Sequence, residues 1–338
     1  MRLEAVELIR IGIPLVAPFE TSFGVQSDRD ILLVKAITSE GEGWGECVAG
    51  EEPTYSPEYV DGAQHVLTHH LLPRLVARED LKAEDVFGLL RHVHGHQMAK
   101  AAIEMAILDA QLRARGESFG KYFGAVRAEV DCGVSVGIHR TIPDLLRTVG
   151  GFLDQGYRRI KLKIKPGWDI EPVRAVRERF GDVPLQVDAN TAYRLSDAKH
   201  LAELDAYDLL LIEQPMPEDQ VLAHAQMAEI VGTPICLDES IHSLQAAADA
   251  IELHAGRIIN IKPGRVGGYL EARRIHSDRY YHRDIVTEPF VLHGGRLGVP
   301  TGPGLGVTVD EDRLREVTTS TMELRREMQW TSATTPSR

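Results

Sequence analysis

The feature that most constrains the fold is a near-constant interval between charged residues in the second half of the chain. Each of them ends a short apolar segment, and successive ones are 25, 25, 25 and 24 positions apart: Lys163, Asp188, Glu213, Asp238 and Lys262. An interval of this length accommodates one strand, one helix and their two connections. The spacing therefore predicts consecutive βα units whose strands run parallel in one sheet.

The segments around these residues favour an α/β fold of the β/α-barrel type. After about residue 126, six apolar strands alternate with helical segments, and we predict the strands at 130–138, 159–165, 185–190, 209–215, 235–240 and 258–263. Six in succession favour a closed barrel over an open doubly wound sheet. No GxGxxG motif follows any of them, which argues against a dinucleotide-binding fold. Because barrel active sites form at the carboxyl ends of the strands, we expect the five charged residues to meet there.

Three lysines share one face of the strand predicted at 159–165. Side chains alternate along a strand, so Lys161, Lys163 and Lys165 point one way and the apolar side chains between them point the other. In a barrel the apolar face packs under the helices, and the lysines then point inward. A solvated edge strand is the alternative, but the charged ends of the following strands weigh against it.

The three carboxylates at adjacent strand ends predict a metal site. Asp188, Glu213 and Asp238 would repel one another if they converged without a cation. All three donors are oxygen, which favours Mg²⁺, with Mn²⁺ as a substitute, and disfavours Zn²⁺. An isolated Asp or Glu is more often a helix cap or a solvated charge, but three in register with two flanking lysines fit that alternative poorly.

The flanking lysines suggest proton transfer. Lys163 and Lys262 come from strands on opposite sides of the carboxylate-bearing strands. A lysine near a cation and a second lysine loses its proton more readily and can act as a base, and Lys161 is the neighbour placed to affect Lys163 in this way. Two bases facing a metal-bound carboxylate suit abstraction of the proton α to that carboxylate.

The first part of the chain reads as strands followed by helices. We predict strands at 4–13, 30–38 and 43–49 and a long alanine-rich helix at 98–115. The segment PFETSFGVQSD (18–28) is predicted as a loop. It is either a plain connector or a loop that covers the substrate, and the second interpretation makes Phe23 a substrate-binding residue.

Composition excludes several classes of function. The net charge is -12, from 38 Lys and Arg against 50 Asp and Glu, so an extended basic surface for nucleic acid is not expected. Three cysteines without a CxxC motif fit a reduced, cytoplasmic compartment. No apolar run approaches the roughly 18 residues of a membrane span. The expected partner is a small-molecule carboxylate substrate.

Several motifs occur in one order along nearly the whole chain. They include PFETSFG, MAKAAIEMAILDA, GVSVGI, GYRRIKLKIKPGWD, VDANTAY, IEQP, CLDES and INIKPGRVGG. In these motifs the chain resembles the muconate-lactonizing subgroup of the enolase superfamily. Within that subgroup it is most similar to the o-succinylbenzoate synthase/N-succinylamino acid (N-acylamino acid) racemase family.

The resemblance implies an enolase-like modified TIM barrel at 126–280. An α+β capping domain at 1–125 would be completed by the C-terminal tail, 281–338, and the protein would be a homo-oligomer. The implied site residues are Lys163 and Lys262 as the acid/base pair, Lys161 as support for Lys163, Ser135 and Asn190 near the substrate, and Asp188, Glu213 and Asp238 as Mg²⁺ ligands.

The implied activity is o-succinylbenzoate synthesis, a dehydration in menaquinone biosynthesis, together with possible N-succinylamino acid racemisation. Racemisation of N-acylamino acids or dipeptide epimerisation as the main activity remains an alternative. A Schiff-base lyase that uses one of the lysines is a second class, although imine chemistry needs no carboxylate cage. A non-catalytic metal-binding barrel is a third.

The chain departs from the family pattern after the EARRIH segment. His276 is followed directly by Ser277, and the sequence from Ser277 onward resembles the region just after the eighth barrel strand of the family. About two βα units are therefore absent, and six parallel strands leave a barrel open at an edge. Either a segment is missing from the sequence at this junction, or the deletion is genuine and puts activity in doubt. In the first case, the Cα atoms of His276 and Ser277 should be much farther apart than the ~3.8 Å of a trans peptide.

Overall fold

The structure, a computed structural model, describes residues 1–272 and 294–326. The strands in chain order are β1 (Leu3–Thr21), β2 (Gly24–Thr38), β3 (Gly41–Cys47), β4 (Glu129–Asp131), β5 (Gly133–Val136), β6 (Arg159–Lys163), β7 (Leu185–Asp188), β8 (Ile212–Glu213), β9 (Ile235–Leu237), β10 (Ile258–Ile259), β11 (Arg296–Gly298) and β12 (Thr318–Arg325). The α-helices are α1 (Val60–Val66), α2 (Leu72–Val76), α3 (Ala83–Leu90), α4 (Gln97–Ala114), α5 (Phe119–Tyr122), α6 (Ile142–Asp154), α7 (Ile170–Phe180), α8 (Ala198–Leu201), α9 (Val221–Ala228), α10 (Leu244–Glu252), α11 (Pro263–Val266), α12 (Tyr269–Ala272) and α13 (Glu311–Val317).

The N-terminal strands form an antiparallel sheet of order β12-β1-β2-β3. The segment predicted as a loop at 18–28 instead forms the tip of a long β1–β2 hairpin, in which Phe19 pairs with Gln26 and Thr21 with Gly24. The loop prediction failed because this tip is polar and mostly exposed, so it carries no alternation of buried and exposed residues. Near the end of the described chain, β12 adds to the outer edge of β1.

Helix α4 packs on β3 at a very short distance. A Cβ added to Gly43 would lie 2.2 Å from the Ala110 nitrogen, and one added to Gly45 would lie 2.0 Å from the Ala102 oxygen. The alanines of the helix and the glycines of the strand thus let the two backbones touch. This close contact explains the alanine-rich composition of the helix predicted at 98–115.

The second sheet has six parallel strands in the spatial order β5-β6-β7-β8-β9-β10. Helix residues Leu145, Val149 and Val173 are buried against its outer face, together with Ile160 and Leu162 of β6. The register pairs Lys163 with Asp188, and Asp188 with Glu213. The strand order therefore brings the charged ends of consecutive strands side by side, as the spacing predicts.

The fold class is confirmed: the chain has an enolase-like β/α barrel with an N-terminal α+β capping domain, and six parallel strands lie in the described part of the barrel. The boundaries at 125/126 and 280/281 remain predictions. His276 and Ser277 lie outside the described residues, so the predicted separation of their Cα atoms also remains a prediction. Within 1–272 and 294–326, no helix combines the length and the apolar character that a membrane crossing requires.

Candidate active site

The charged strand ends form a row in which lysines and carboxylates alternate. The Lys163 Nζ donates to Asp188 Oδ2 at 2.7 Å, and the Lys161 Nζ lies 3.0 Å from that same oxygen. Lys161 also donates to both oxygens of Glu213, at 3.2 and 3.1 Å. The structure thus brings together the first four of the predicted charged site residues.

Lys262 and Asp238 continue this row on the other side of Glu213. The Lys262 Nζ donates to Asp238 Oδ2 at 2.6 Å and lies 3.9 Å from Glu213 Oε1. The Asn260 side chain donates to the same Glu213 oxygen at 2.9 Å. Lys163 and Lys262 therefore lie on opposite sides of Asp188, Lys161 and Glu213, and Asp238 lies beyond Lys262.

The three carboxylates are buried, whereas Lys262 is partly open. Asp188, Glu213 and Asp238 are 1%, 2% and 2% exposed, and the Lys262 side chain is 38% exposed. Burying three carboxylates is costly unless cations compensate them. The cationic side chains beside them supply this compensation in the structure.

Burial and neighbouring charges shift the ionisation of these groups in different directions. Burial raises the pKa of Asp188, but Lys163 and Lys161 outweigh it and hold the pKa below the usual range. Burial and the charge of Asp188 raise the pKa of Glu213. Burial lowers the pKa of Lys161, but the adjacent carboxylates outweigh it, so the net pKa is raised and Lys161 remains protonated.

Asn190 and Glu239 support the Lys163 end of the site. The Asn190 Oδ1 accepts from Lys163 Nζ at 2.6 Å, and its Nδ2 donates to Glu239 Oε1 at 2.9 Å. Asn190 adopts a positive φ of 40°, which turns the chain directly after β7. Burial, with the charges of Asp238 and Asp188, raises the pKa of Glu239 to about 7.

Gln214 connects the end of β8 to the end of β9. Its side chain donates to Ser240 Oγ at 2.7 Å and to the Met216 oxygen at 3.0 Å. It accepts from the Asp238 nitrogen at 2.8 Å and from the Ser240 nitrogen at 3.2 Å. Gln214 is fully buried and has a φ of 36°, so this arrangement fixes Glu213 relative to Asp238.

The capping domain covers the Asp238 end. Arg265 donates to Asp238 Oδ1 at 2.7 Å and to the Tyr55 hydroxyl, and its guanidinium lies over the Tyr55 ring. The Phe23 ring makes an edge contact with the Tyr55 ring, with centroids 5.7 Å apart. Phe23 therefore lies at the periphery of the site, and its contact with substrate remains a prediction.

The β1–β2 hairpin tip also reaches the barrel. Ser22 Oγ donates to the Asn190 oxygen at 2.7 Å, and Lys165 Nζ donates to Glu20 Oε1 at 2.9 Å. These contacts place the tip over the strand ends. Lys165, the third of the inward-facing lysines predicted at 159–165, therefore contacts the hairpin rather than the carboxylates at the strand ends.

Ser135 lies on β5 in register with Lys161. Its Oγ is buried and has no hydrogen-bond partner among the described residues. A buried hydroxyl without a partner is costly, and a bound substrate could supply that partner. The predicted substrate role of Ser135 is compatible with this geometry.

The donor set fits a hard divalent cation by its chemistry. Asp188, Glu213 and Asp238 offer only oxygen; burial first, and then the charge of Asp188, raise the pKa of Glu213, and a bound cation would offset both effects. As the side chains stand, no three His, Cys, Asp or Glu residues in the described ranges are grouped closely enough to hold a metal. The ammonium groups of Lys161 and Lys262 instead bridge the carboxylates, so metal binding requires them to move aside.

Several residues at the site were not predicted, among them Gln214, Glu239, Arg265 and Tyr55. Gln214, Glu239 and Arg265 occur in the motifs IEQP, CLDES and KPGRVGG. The sequence signal for them was a polar residue close to a charged strand end. Tyr55 is 210 residues from Arg265, and no local pattern links the two.

Comparison with known proteins defines the class to which this fold and site belong. Residues 144–278 match the family described as "Enolase C-terminal domain-like", and residues 5–124 match "Mandelate racemase / muconate lactonizing enzyme, N-terminal domain". A solved enolase-superfamily structure from Listeria innocua superposes with a TM-score of 0.91 at 35% identity, covering 97% of this chain and 100% of that one.

Two relatives narrow the class. An N-succinylamino acid racemase from an Amycolatopsis species is 58% identical, over 95% of this chain and 98% of its own. An o-succinylbenzoate synthase from Geobacillus kaustophilus is 38% identical, over 94% of this chain and 96% of its own. The chain belongs to the o-succinylbenzoate synthase/N-succinylamino acid racemase family of the enolase superfamily.

The same alignment indicates that an internal segment of the relative has no counterpart in this sequence. The match to the Amycolatopsis racemase extends over 363 residues, whereas this chain has 338 in total. The relative thus has internal positions with no counterpart here, as expected if βα units are absent. Their location at the His276–Ser277 junction remains a prediction.

Proposed function

We propose that this protein is a Mg²⁺-dependent enzyme that removes the α-proton of a small carboxylate substrate. The observation that carries the proposal is the position of Lys163 and Lys262 on opposite sides of the buried carboxylates Asp188 and Glu213, with Asp238 beside Lys262. The activities proposed for this site are o-succinylbenzoate synthesis and N-succinylamino acid racemisation, the activities named for its relatives. The 58% identical relative favours racemisation as a main activity.

In the proposed mechanism, Asp188, Glu213 and Asp238 would hold Mg²⁺. When bound, the cation supplies positive charge that stabilises negative charge developing on the substrate carboxylate. In its neutral form Lys163 accepts the α-proton on one face, and Lys262 delivers a proton to the opposite face. The Asn190 Oδ1 orients Lys163, and the protonated Lys161 contributes further positive charge beside Asp188 and Glu213.

Dehydration uses the same groups, but the two lysines have different roles. One lysine removes the α-proton and then donates it to the departing β-hydroxyl group, while the opposite lysine stabilises the negative charge electrostatically. The two reactions therefore need one site and differ in whether the second lysine exchanges a proton.

The test is an assay of both reactions with and without Mg²⁺ after EDTA treatment. The proposal predicts turnover of at least one substrate that disappears without metal and returns on its addition. A protein that binds Mg²⁺ but turns over neither substrate would instead be a non-catalytic metal-binding barrel, the alternative that a genuine loss of two barrel strands would favour. Trapping of a substrate adduct by borohydride would indicate a Schiff-base lyase. A homo-oligomeric state and a cytoplasmic location remain predictions.

A further inference from the structure

The segment that follows Lys262 packs against helix α4 of the capping domain. Lys262 is the N-cap of α11, and a turn at Gly267 and Gly268 leads into α12. The side chain of Glu104, in the middle of α4, accepts the Tyr269 N–H at 3.1 Å and the Leu270 N–H at 2.8 Å. One buried carboxylate thus binds the backbone at the start of α12.

The backbone at Gly268 is fitted to this carboxylate. Gly268 has a φ of 135°, and a Cβ added to it would lie 2.5 Å from the Glu104 Cδ. Only glycine allows both the backbone conformation and the approach. The glycine at position 268 is therefore a second feature, independent of the hydrogen bonds, that permits the contact between Glu104 and residues 269–270.

Burying the Glu104 carboxylate is energetically unfavourable. It is 1% exposed, and burial, together with the negative charges of Glu271 and Glu84, raises its pKa to about 7 despite the two backbone hydrogen bonds. An apolar side chain in this position would avoid that cost. The Glu104 carboxylate accepts the backbone hydrogen bonds of residues 269 and 270, which an apolar side chain could not do.

The two lysines of the proposed acid/base pair differ in the structure that supports them. Lys163 is the last residue of β6, which lies between β5 and β7, and Asn190 accepts a hydrogen bond from it. Lys262 lies three residues beyond β10, a two-residue strand that pairs with β9 alone within the described chain. Sheet pairing therefore holds Lys262 less firmly, and its position depends more on the segment that follows.

We infer that Glu104 is a positioning residue for Lys262: it fixes residues 268–270 and thereby the lysine at the opposite end of α11. This inference rests on the proposed function. It predicts that loss of the carboxylate impairs proton transfer on the Lys262 face and spares the Lys163 face.

The experiment measures exchange of the α-proton for deuterium in D₂O, separately for each enantiomer of one N-succinylamino acid, by proton NMR. Lys163→Ala and Lys262→Ala first identify which enantiomer each lysine serves. Glu104→Ala should then slow exchange of the Lys262 enantiomer by roughly tenfold to a hundredfold, while exchange of the other changes less than about twofold. Glu104→Gln keeps an acceptor oxygen and should recover part of the lost rate.

Gln111→Ala is the matched control. Gln111 is also a buried polar residue of α4, but it accepts the Ala83 N–H at the start of α3. Its loss should perturb the capping domain without any preference for one enantiomer. Equal slowing of both enantiomers by Glu104→Ala, or no slowing, overturns the positioning role. Absence of exchange for both enantiomers in the unmodified protein with Mg²⁺ overturns the proposed function and this inference with it.

Discussion

Replacing Gln214 by methionine should weaken both the fold and the metal site. Methionine has nearly the volume of glutamine, so the change removes the amide without creating a large cavity. It leaves the Asp238 and Ser240 nitrogens and the Met216 oxygen without the partner that they have in the structure. A buried polar group left unsatisfied costs about 1–3 kcal/mol, so some relaxation still leaves a total of about 3–5 kcal/mol.

This cost should appear in two measurements. Thermal unfolding followed by circular dichroism should show a Tm lowered by roughly 10 °C. Calorimetric titration should show Mg²⁺ binding weakened by about 10-fold to 100-fold, because Gln214 holds the Asp238 backbone and directly follows Glu213.

Gln245→Met is the control for the Gln214 substitution. Gln245 is an exposed residue of α10 that donates to Asp249, and its loss should change stability by no more than about 0.5 kcal/mol. If Gln214→Met matched this control in both Tm and Mg²⁺ affinity, the argument that Gln214 fixes the two strand ends would be refuted.

Three further predictions concern the capping domain and the site. Gly45→Ala should destabilise the protein by several kcal/mol in urea titrations, because its Cβ would lie 2.0 Å from the Ala102 oxygen, whereas Gly88→Ala in α3, with nothing within 4 Å, should be neutral or stabilising. The raised pKa of Glu104, about 7, means that its contribution to stability is fully present below pH about 4.5 and is lost as the pH rises through 7, on the order of 3 kcal/mol. Urea titrations against pH should show this slope flattened in Glu104→Gln. Lys161→Ala should lower the kcat of racemisation without abolishing it, and complete loss in a folded variant would contradict a supporting role.

Strand periodicity and spacing were sufficient to predict the row of charged residues. The 25-residue interval is a direct consequence of one βα unit, and the register that pairs Lys163 with Asp188 follows from it. The interval could not predict that lysine ammonium groups would bridge the carboxylates, because that arrangement depends on side-chain rotamers and on the net charge of the buried cluster.

Other parts of the site depend on contacts that local sequence does not encode. The backbone hydrogen bonds accepted by Glu104 join residues more than 160 positions apart, and only the packing of α4 against the segment after β10 creates them. The tip of the β1–β2 hairpin, residues 18–28, was predicted as a loop because it buries neither face fully. Its contacts with the barrel, such as that of Ser22 with Asn190, follow from tertiary structure alone.

The central claim is that Lys163 and Lys262 transfer protons on opposite faces of one substrate, and Lys262→Ala tests it most directly. With Mg²⁺ present and both enantiomers of an N-succinylamino acid supplied in D₂O, the variant should lose racemisation completely. It should still exchange the α-proton of the enantiomer served by Lys163, and Lys163→Ala should show the reverse selectivity. A Lys262→Ala protein that racemises either enantiomer at the normal rate would contradict the account.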